Sequence, residues 1–221
     1  KAKKGQTIAV IGSTGSGKST LINLIPRYYD VTKGSVKVDG VDVRDMTQKE
    51  LRDKLGYVPQ KGVLFSGTID SNIRYGKPEI TDAQVKEAAE VAQATEFIDT
   101  KPEKYESPVS QGGTNVSGGQ KQRLSIARAI AKNPEIFIFD DSFSALDFKT
   151  DSQLRKALKE YTKDATTVIV AQRISTILGA DQIIVLDDGH MAGIGTHKEL
   201  MANCEVYQQI ARSQLSEEEL A

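Results

Sequence analysis

The sequence predicts an α/β fold with a mainly parallel sheet, and two observations support this prediction. Short apolar runs alternate with segments of helical periodicity along most of the 221 residues. A glycine-rich loop lies between the first apolar run and the first helical segment, in the order expected for a strand, a tight turn and a helix. A chain of this length can bury a substantial core, in one large domain or in a core with an inserted subdomain.

The first strand is expected over Ile8–Ile11 and the first helix over Ser19–Ile25. Between them, Gly12–Ser19 match the phosphate-binding pattern G-x-x-x-x-G-K-[ST]. Glycines keep side chains away, so backbone N–H groups can converge on phosphate oxygens, and the helix start adds a favourable partial charge. A glycine-rich turn without a ligand would explain the glycines but not Lys18 beside Ser19. We therefore predict that a nucleoside triphosphate is bound here, through Gly12, Ser13, Thr14, Gly15, Ser16, Gly17, Lys18, Ser19 and Thr20.

Composition limits the expected partners and location of the chain. A net charge of -1 with 27% charged residues gives no global basic field, so nucleic acid is not an expected partner. The single cysteine, Cys204, cannot form an internal disulfide, and no secretory signal pattern is present. The expected compartment is therefore the reducing cytosol, with Cys204 in a packing role. No apolar run approaches the ~20 residues that span a bilayer, so a role at a membrane needs another segment or polypeptide.

The later strands are predicted from short apolar runs, and two turns are predicted from Asp-Gly pairs. The pairs Asp39-Gly40 and Asp188-Gly189 favour hairpins, because such turns need positive φ angles. The apolar runs are Val36–Val38, Gly56–Val58, Ile136–Phe139, Thr167–Ala171 and Ile183–Leu186.

Two longer helices are expected in the middle of the chain. One begins at a Thr81 cap and runs to about Ile98, and the other runs from about Ser117 to Ala131. They predict a helical insertion over residues 71–132. The core would then comprise residues 1–70 and 133–213, followed by a frayed acidic tail at 214–221.

A second element for triphosphate chemistry is expected where Asp140 and Asp141 follow four apolar residues. Such a pair is often a helix cap or a turn, but together with a full phosphate loop it favours a Mg²⁺ site. Asp140 would hold Mg²⁺ opposite the Ser19 hydroxyl, and Asp141 would lie near the water that attacks the γ-phosphate. Lys18 would reach the β- and γ-phosphates.

Residues Val116–Arg123 read Val-Ser-Gly-Gly-Gln-Lys-Gln-Arg and closely resemble the Leu-Ser-Gly-Gly-Gln signature of ATP-binding cassette (ABC) proteins. On the residues alone, a serine and two glycines at a helix start make a second anion-binding cap, with an ordinary N-cap as the alternative. The resemblance implies that this cap closes on ATP held by an opposing domain, in a head-to-tail dimer with composite sites. The cap consists of Ser117, Gly118, Gly119 and Gln120.

Further segments carry the same resemblance over essentially the whole chain. It implies a P-loop NTPase (RecA-like) core with a partial antiparallel β subdomain and an inserted helical subdomain. Gln60 resembles the Q-loop glutamine, which approaches Mg²⁺ and connects the site to a transport domain. Asp147, in Ser144–Asp147, resembles the D-loop that crosses the dimer interface. Val63–Ile69 and Gly195–Leu200 are similar to segments of ABC exporters.

Two residues depart from the pattern of active ABC ATPases, which carry glutamate where Asp141 stands and histidine where Gln172 stands. Aspartate is shorter by roughly 1.5 Å, whereas a general base must approach within ~2.6–3.2 Å of its proton. Gln172 can hydrogen-bond a γ-phosphate, but as a neutral amide it cannot carry a proton. Each change is expected to lower turnover by about 10²–10⁴-fold, and the two need not add. The expected catalytic set is Lys18, Gln60, Asp141 and Gln172.

These departures favour the degenerate half of a heterodimeric exporter. The site of this chain would bind Mg-ATP and hydrolyse it slowly, and its intact signature would complete the site of a non-identical partner. Three alternatives remain open: an active homodimeric exporter in which the two residues are tolerated or introduced, an ATP-gated interaction module that hardly hydrolyses ATP, and a regulatory, non-transporting ABC protein.

The resemblance also leads to expectations about what surrounds this chain. Gln111 stands where exporters place the glutamate of a coupling loop. The adenine-stacking aromatic lies upstream of the loop in the family, and Tyr28 and Tyr29 are poor substitutes for it. We therefore expect a fragment that lacks its first strands and its transmembrane part. Its expected location is the cytoplasmic face of a membrane, as part of an integral transporter.

Overall fold

The computed structural model describes residues 1–216, so residues 217–221 of the predicted tail lie outside it. Two compact units are present. The first contains Lys1–Leu55, Ile138–Asp141 and the described residues from Ala165 onward, and the second contains Gly56–Phe137 and Ser142–Asp164.

Within residues 1–216, strands and helices are interspersed along the chain, and some strands or helices follow one another directly. The strands are β1 (Thr7–Gly12), β2 (Lys37–Val38), β3 (Val41–Asp42), β4 (Leu55–Val58), β5 (Gly67–Thr68), β6 (Pro108–Val109), β7 (Ile136–Asp140), β8 (Thr166–Val170), β9 (Gln182–Asp187) and β10 (His190–Gly195). The helices are α1 (Lys18–Ile22), α2 (Gln48–Asp53), α3 (Ile69–Ile73), α4 (Asp82–Val91), α5 (Thr95–Asp99), α6 (Gly118–Ala131), α7 (Phe148–Tyr161), α8 (Ile174–Ile177), α9 (His197–Asn203) and α10 (Glu205–Gln214).

The first unit is built on a mostly parallel sheet, which confirms the predicted fold class. Its strands lie in the order β10-β9-β1-β8-β7. The central strand β1 pairs in parallel with β8 and β9, so that Ala9 lies opposite both Ile169 and Ile183. Antiparallel β10 completes one edge. The carboxyl ends of β1, β8 and β9 therefore meet at one edge, where parallel sheets place their ligand sites.

Both predicted hairpin turns are present in this unit. Asp39 and Gly40 have φ angles of 51° and 81°, and they join the antiparallel strands β2 and β3. Asp188 and Gly189 have φ angles of 43° and 77°, and they join β9 to β10. These are the positive φ angles that two-residue hairpin turns require.

One apolar cluster joins the sheet of the first unit to its last helices. Ala9, Ile11, Ile183 and Val185 of β1 and β9 belong to it. So do Ile174 and Ile177 of α8, Leu200, Cys204, and Tyr207 and Ala211 of α10. Cys204 is buried in this cluster, so its expected packing role is confirmed.

The second unit contains α3 to α7 and the short β5–β6 pair. Helix α6 spans Gly118–Ala131 with Ser117 as its N-cap, close to the predicted range of Ser117 to Ala131. The helix expected from Thr81 to Ile98 is instead two helices, because Gln93 adopts φ 56° between α4 and α5. Thr81 does cap α4, accepting a hydrogen bond from the Gln84 N–H. The predicted limits of the insertion, 71 and 132, stay predictions.

Candidate functional site

The glycine-rich loop connects β1 to α1 in the first unit, and its glycines have separate roles. A Cβ on Gly12 would lie 2.1 Å from the Leu186 carbonyl oxygen of β9, so only glycine fits there. Gly17 has φ 96°, which favours glycine at the start of α1. Helix α1 ends at Ile22, before the predicted Ile25, because the following N–H groups bond three residues back. The sequence thus forms the predicted strand, loop and helix, with a shorter helix.

Lys18 is held over this loop. Its Nζ donates to the carbonyl oxygens of Gly12, at 2.8 Å, and Ser13, at 2.7 Å. Burial lowers the pKa of the Lys18 ammonium, and the carboxylates of Asp141 and Asp140 oppose that shift. The ammonium therefore lies beside the loop amides, close to two carboxylates. This arrangement suits a cation that neutralises phosphate charge.

A hydroxyl and a carboxylate are brought together across the sheet edge. Ser19 Oγ donates to Asp140 Oδ1 at 2.8 Å, and Asp140 is buried at the end of β7. Both are hard oxygen ligands of the kind Mg²⁺ takes. Among the described residues, no group of three or more His, Cys, Asp or Glu is arranged to hold a metal. The pair fits Mg²⁺ shared with substrate phosphates and water rather than enclosed by protein ligands.

Ser16 gives a second sign that the loop is shaped for a ligand. It is 2% exposed, and its hydroxyl has no hydrogen-bond partner in the structure. Buried polar atoms in native proteins are nearly always paired, so one left open within a phosphate-loop motif fits an oxygen-rich ligand. The loop residues and the Ser19–Asp140 pair together fit a magnesium-bound triphosphate.

Asp141 and Gln172 form a direct pair. Gln172 Nε2 donates to Asp141 Oδ2 at 2.7 Å. The Asp141 N–H donates to the Val170 carbonyl of β8 at 3.0 Å, and Asp141 adopts φ 47°, a left-handed conformation that aspartate tolerates better than most residues. The structure therefore brings together both residues that depart from the pattern of active ABC ATPases. An amide donor fixes one oxygen of the carboxylate where a titratable histidine would otherwise stand.

The remaining predicted site residues lie in the second unit. Gln60 is exposed just after β4. Ser117 and Gln120 form a capping box: Ser117 Oγ accepts from the Gln120 N–H, and the Gln120 side chain accepts from the Ser117 N–H. Asp147 caps α7 by accepting from the Thr150 N–H, and hydrogen bonds from Thr150 are the main cause that lowers the pKa of Asp147. The roles of these residues toward nucleotide and Mg²⁺ stay predictions.

Gly118 leaves the start of α6 open. A Cβ added at this residue would meet no atom within 4 Å. The first N–H groups of a helix have no intrahelical acceptor, so Gly118 and Gly119 present backbone donors there. The capping box accounts for Ser117 as an ordinary N-cap, and the open glycine donors keep the anion-binding interpretation available.

The sequence analysis missed Gln122, which ties the signature helix to the Gln60 segment. Gln122 is 1% exposed, and its Nε2 donates to the Pro59 carbonyl at 3.0 Å. Its Oε1 accepts from the Gly62 N–H at 2.8 Å. The two loop residues flank Gln60 on either side. A glutamine among the apolar residues of α6 is the only sequence signal, and it does not identify partners so distant along the chain.

Comparison with known proteins decides the family. The family model for ABC transporters matches residues 1–144. The chain belongs to the ABC transporter family. The matched range includes the predicted loop at Gly12–Ser19 and the predicted signature at Ser117. ABC ATP-binding domains bind ATP with Mg²⁺ and are generally ATPases.

Relatives of this ABC domain are found among bacterial transport proteins. An uncharacterized ABC transporter ATP-binding protein of Mycobacterium tuberculosis is 50% identical over 216 residues, covering 96% of this chain and 37% of that protein. A Staphylococcus aureus protein named as a multidrug export ATP-binding/permease protein is 48% identical over 208 residues, covering 94% of this chain and 36% of that protein. The ABC domain therefore spans little more than a third of these relatives.

A solved structure supports the fold of this ABC domain directly. The structure of a bacterial Atm1-family ABC exporter with ATP bound superimposes with a TM-score of 0.92 at 40% identity. The match covers 96% of this chain and 38% of that one. In residues 1–216, no helix has the length and apolar character needed to cross a membrane.

Proposed function

We propose that this chain is the Mg-ATP-binding domain of an ABC exporter. It closes on a second such domain around ATP, drives substrate transport across a membrane, and hydrolyses ATP slowly at its own site. The exporter assignment is supported by the names of the relatives, and by the exporter-like segments Val63–Ile69 and Gly195–Leu200. The site would lie at the cytoplasmic face of the membrane, with the transmembrane parts supplied outside this chain.

The hydrogen bond between Gln172 and Asp141 carries the proposal of slow hydrolysis. A water-orienting base must hold its carboxylate within reach of the attacking water. Asp141 is one methylene shorter than glutamate, and one of its oxygens accepts from the Gln172 amide. Gln172 can donate to a γ-phosphate but carries no proton to the reaction. Binding is then retained while turnover is low.

The other residues of the site would bind and orient the substrate. Lys18 and the loop N–H groups would neutralise phosphate charge, and Ser19 and Asp140 would hold Mg²⁺. Gln60 keeps the role toward Mg²⁺ that its resemblance to the Q-loop glutamine implies. When bound, Mg²⁺ supplies electrostatic stabilisation of the charge that develops on the phosphate oxygens. The signature at Ser117–Gln120 would meet ATP held by a non-identical partner that carries glutamate in place of Asp141. Asp147 would lie at the shared interface.

Restoring the two residues tests the proposal. We expect the unmodified chain to bind labelled ATP with little steady-state hydrolysis, and Asp141→Glu combined with Gln172→His to raise the rate by at least about 10²-fold at unchanged affinity. Each single substitution should give less than the double one, because both residues serve one transition state. Fast hydrolysis by the unmodified chain would contradict the slow site and favour an active homodimer. A restored variant that stays slow would favour an ATP-gated interaction module.

A further inference from the structure

The loop that carries Gln172 is held by the last helix of the described chain. Gln214, the last residue of α10, makes two hydrogen bonds to the backbone on either side of Arg173. Its Nε2 donates to the Gln172 carbonyl oxygen at 2.8 Å, and its Oε1 accepts from the Ile174 N–H at 2.8 Å. One amide side chain therefore pairs with a backbone carbonyl and a backbone N–H two residues apart, as a neighbouring strand would. Gln214 is also the residue at which the sequence predicted the frayed tail to begin.

Apolar packing holds the same helix against the same loop. Ala171 and Ile174, which flank the loop, are 3% and 0% exposed. They belong to the apolar cluster that contains Tyr207 and Ala211 of α10, and both of these are 0% exposed. Because buried side chains hold α10 against the cluster, the helix end that carries the Gln214 amide has a defined position. The two hydrogen bonds from Gln214 therefore restrict the backbone conformation at Gln172.

The orientation of Gln172 matters because its side chain reaches the site. Gln172 Nε2 donates to Asp141 Oδ2 at 2.7 Å, while the Gln172 backbone carbonyl accepts from Gln214, so Gln172 links Gln214 to the carboxylate. Gln172 is exposed, and its neighbour Arg173 is exposed as well. An exposed loop segment without a backbone partner would sample many conformations, and each would move the Gln172 amide away from Asp141.

We propose that Gln214 is a positioning residue, which holds the loop of Gln172 so that the Gln172 amide is directed at Asp141 and at the terminal phosphate of bound ATP. This inference rests on the proposed function of Gln172 as a contact of the γ-phosphate. It assigns the end of α10 a role in distinguishing ATP from ADP. Gln214 acts through Gln172 and does not contact the nucleotide.

The test compares the affinities of labelled ATP and labelled ADP, both with Mg²⁺, for the full chain and four variants. Gln214→Met keeps the length and helix preference of the side chain but removes both hydrogen bonds. Gln209→Met is the matched control, because Gln209 is an exposed glutamine of the same helix whose side chain donates a hydrogen bond to Glu205 of that helix. Gln172→Ala and the double variant Gln172→Ala/Gln214→Met complete a thermodynamic cycle.

We expect Gln214→Met to weaken ATP binding by about 3–10-fold and to leave ADP binding unchanged, as Gln172→Ala does. The double variant should be no weaker than Gln172→Ala alone, and Gln209→Met should match the unmodified chain. Equal losses for ATP and ADP, losses that add in the double variant, or no loss at all would overturn the inference.

A second substitution at Gln214, added to the four variants, separates its two hydrogen bonds. Gln214→Glu retains the acceptor for the Ile174 N–H and loses the donor to the Gln172 carbonyl, so an intermediate loss of ATP preference is expected. No loss in this variant would contradict the role of the Gln172 carbonyl bond. Failure of the unmodified chain to bind ATP would instead refute the proposed function, and the inference with it.

Discussion

Lys18 makes contacts that stabilise the loop, and the same side chain has a predicted role in binding phosphate. In the structure its ammonium satisfies the Gly12 and Ser13 carbonyls, which keeps the loop closed around its own backbone. The lowered pKa of Lys18 reflects burial, which the Asp141 and Asp140 carboxylates only partly offset. A bound phosphate would supply negative charge beside this half-buried ammonium, so we expect Lys18 to contribute to phosphate binding.

We expect Lys18→Ala to weaken ATP binding by about 10–100-fold, because a charge-assisted hydrogen bond to a phosphate is lost. A titration with labelled ATP measures the change. Lys198→Ala is the control, since Lys198 is exposed on α9. Equal affinities for the Lys18 and Lys198 variants would show that this loop does not hold the phosphates.

At the scale of elements, hydrogen bonds from side chains to backbone hold the loops that carry predicted site residues. Gln122 of α6 bonds on both sides of Gln60, and Gly62 packs so closely that a Cβ there would lie 2.8 Å from the Lys121 carbonyl oxygen. The Gln60 segment and the start of the signature helix are therefore linked within the second unit.

Replacing Gln122 by leucine should lower the free energy of unfolding by about 1–3 kcal/mol, because the Pro59 carbonyl and the Gly62 N–H lose their partner. Urea unfolding measures this loss. Gln153→Leu, at an exposed glutamine of α7, should change stability by less than about 0.5 kcal/mol. If both variants are equally stable, the buried amide does not hold the Gln60 segment.

Burial of the Tyr207 hydroxyl in α10 is expected to lower the stability of the fold at alkaline pH. The Tyr207 hydroxyl lies 2.8 Å from His197 Nδ1, and burial raises the pKa of Tyr207 from 10.0 to about 12. Between these pH values the unfolded chain loses the proton while the folded chain keeps it, so stability falls as pH rises. We expect Tyr207→Phe to be less stable than the unmodified chain at pH 8 and to lose less stability between pH 10 and 12. Parallel pH–stability curves in thermal unfolding would contradict the raised pKa.

Local motifs could be predicted from the sequence because their interactions span only a few residues. The loop at Gly12–Ser19, the caps at Thr81 and Ser117, and the Asp-Gly hairpins are of this kind. The break at Gln93 could not be predicted. Its carbonyl accepts from the Arg123 guanidinium of α6 at 2.7 Å, a contact that links distant parts of the chain. The loop contacts of Gln122 and Gln214 were missed for the same reason: a glutamine gives no local sign of a distant backbone partner.

At the scale of the whole molecule, this chain spans little more than a third of its relatives, so its activity is best tested in assembled pairs of domains. Under the proposed function, one chain would carry two separable features: a slow nucleotide site around Asp141 and Gln172, and an intact signature at Ser117–Gln120. The signature can be altered by substitution without changing Asp141 or Gln172, because Gly118 accepts a Cβ without a clash.

The most direct measurement is steady-state hydrolysis by a mixture of two chains. One is unmodified, and the other carries Asp141→Glu and Gln172→His together with Gly118→Asp, which places a carboxylate where its signature would meet phosphate. Each chain alone should hydrolyse ATP slowly. The first is limited by Asp141 and Gln172 in its own site, and the second is limited by its altered signature. The mixture should hydrolyse ATP at least about 10-fold faster than the sum of the two, because the unmodified signature completes the restored site. A mixture that is no faster than the sum of the two chains would contradict the composite site. Fast hydrolysis by the unmodified chain alone would contradict the proposal that its own site is slow.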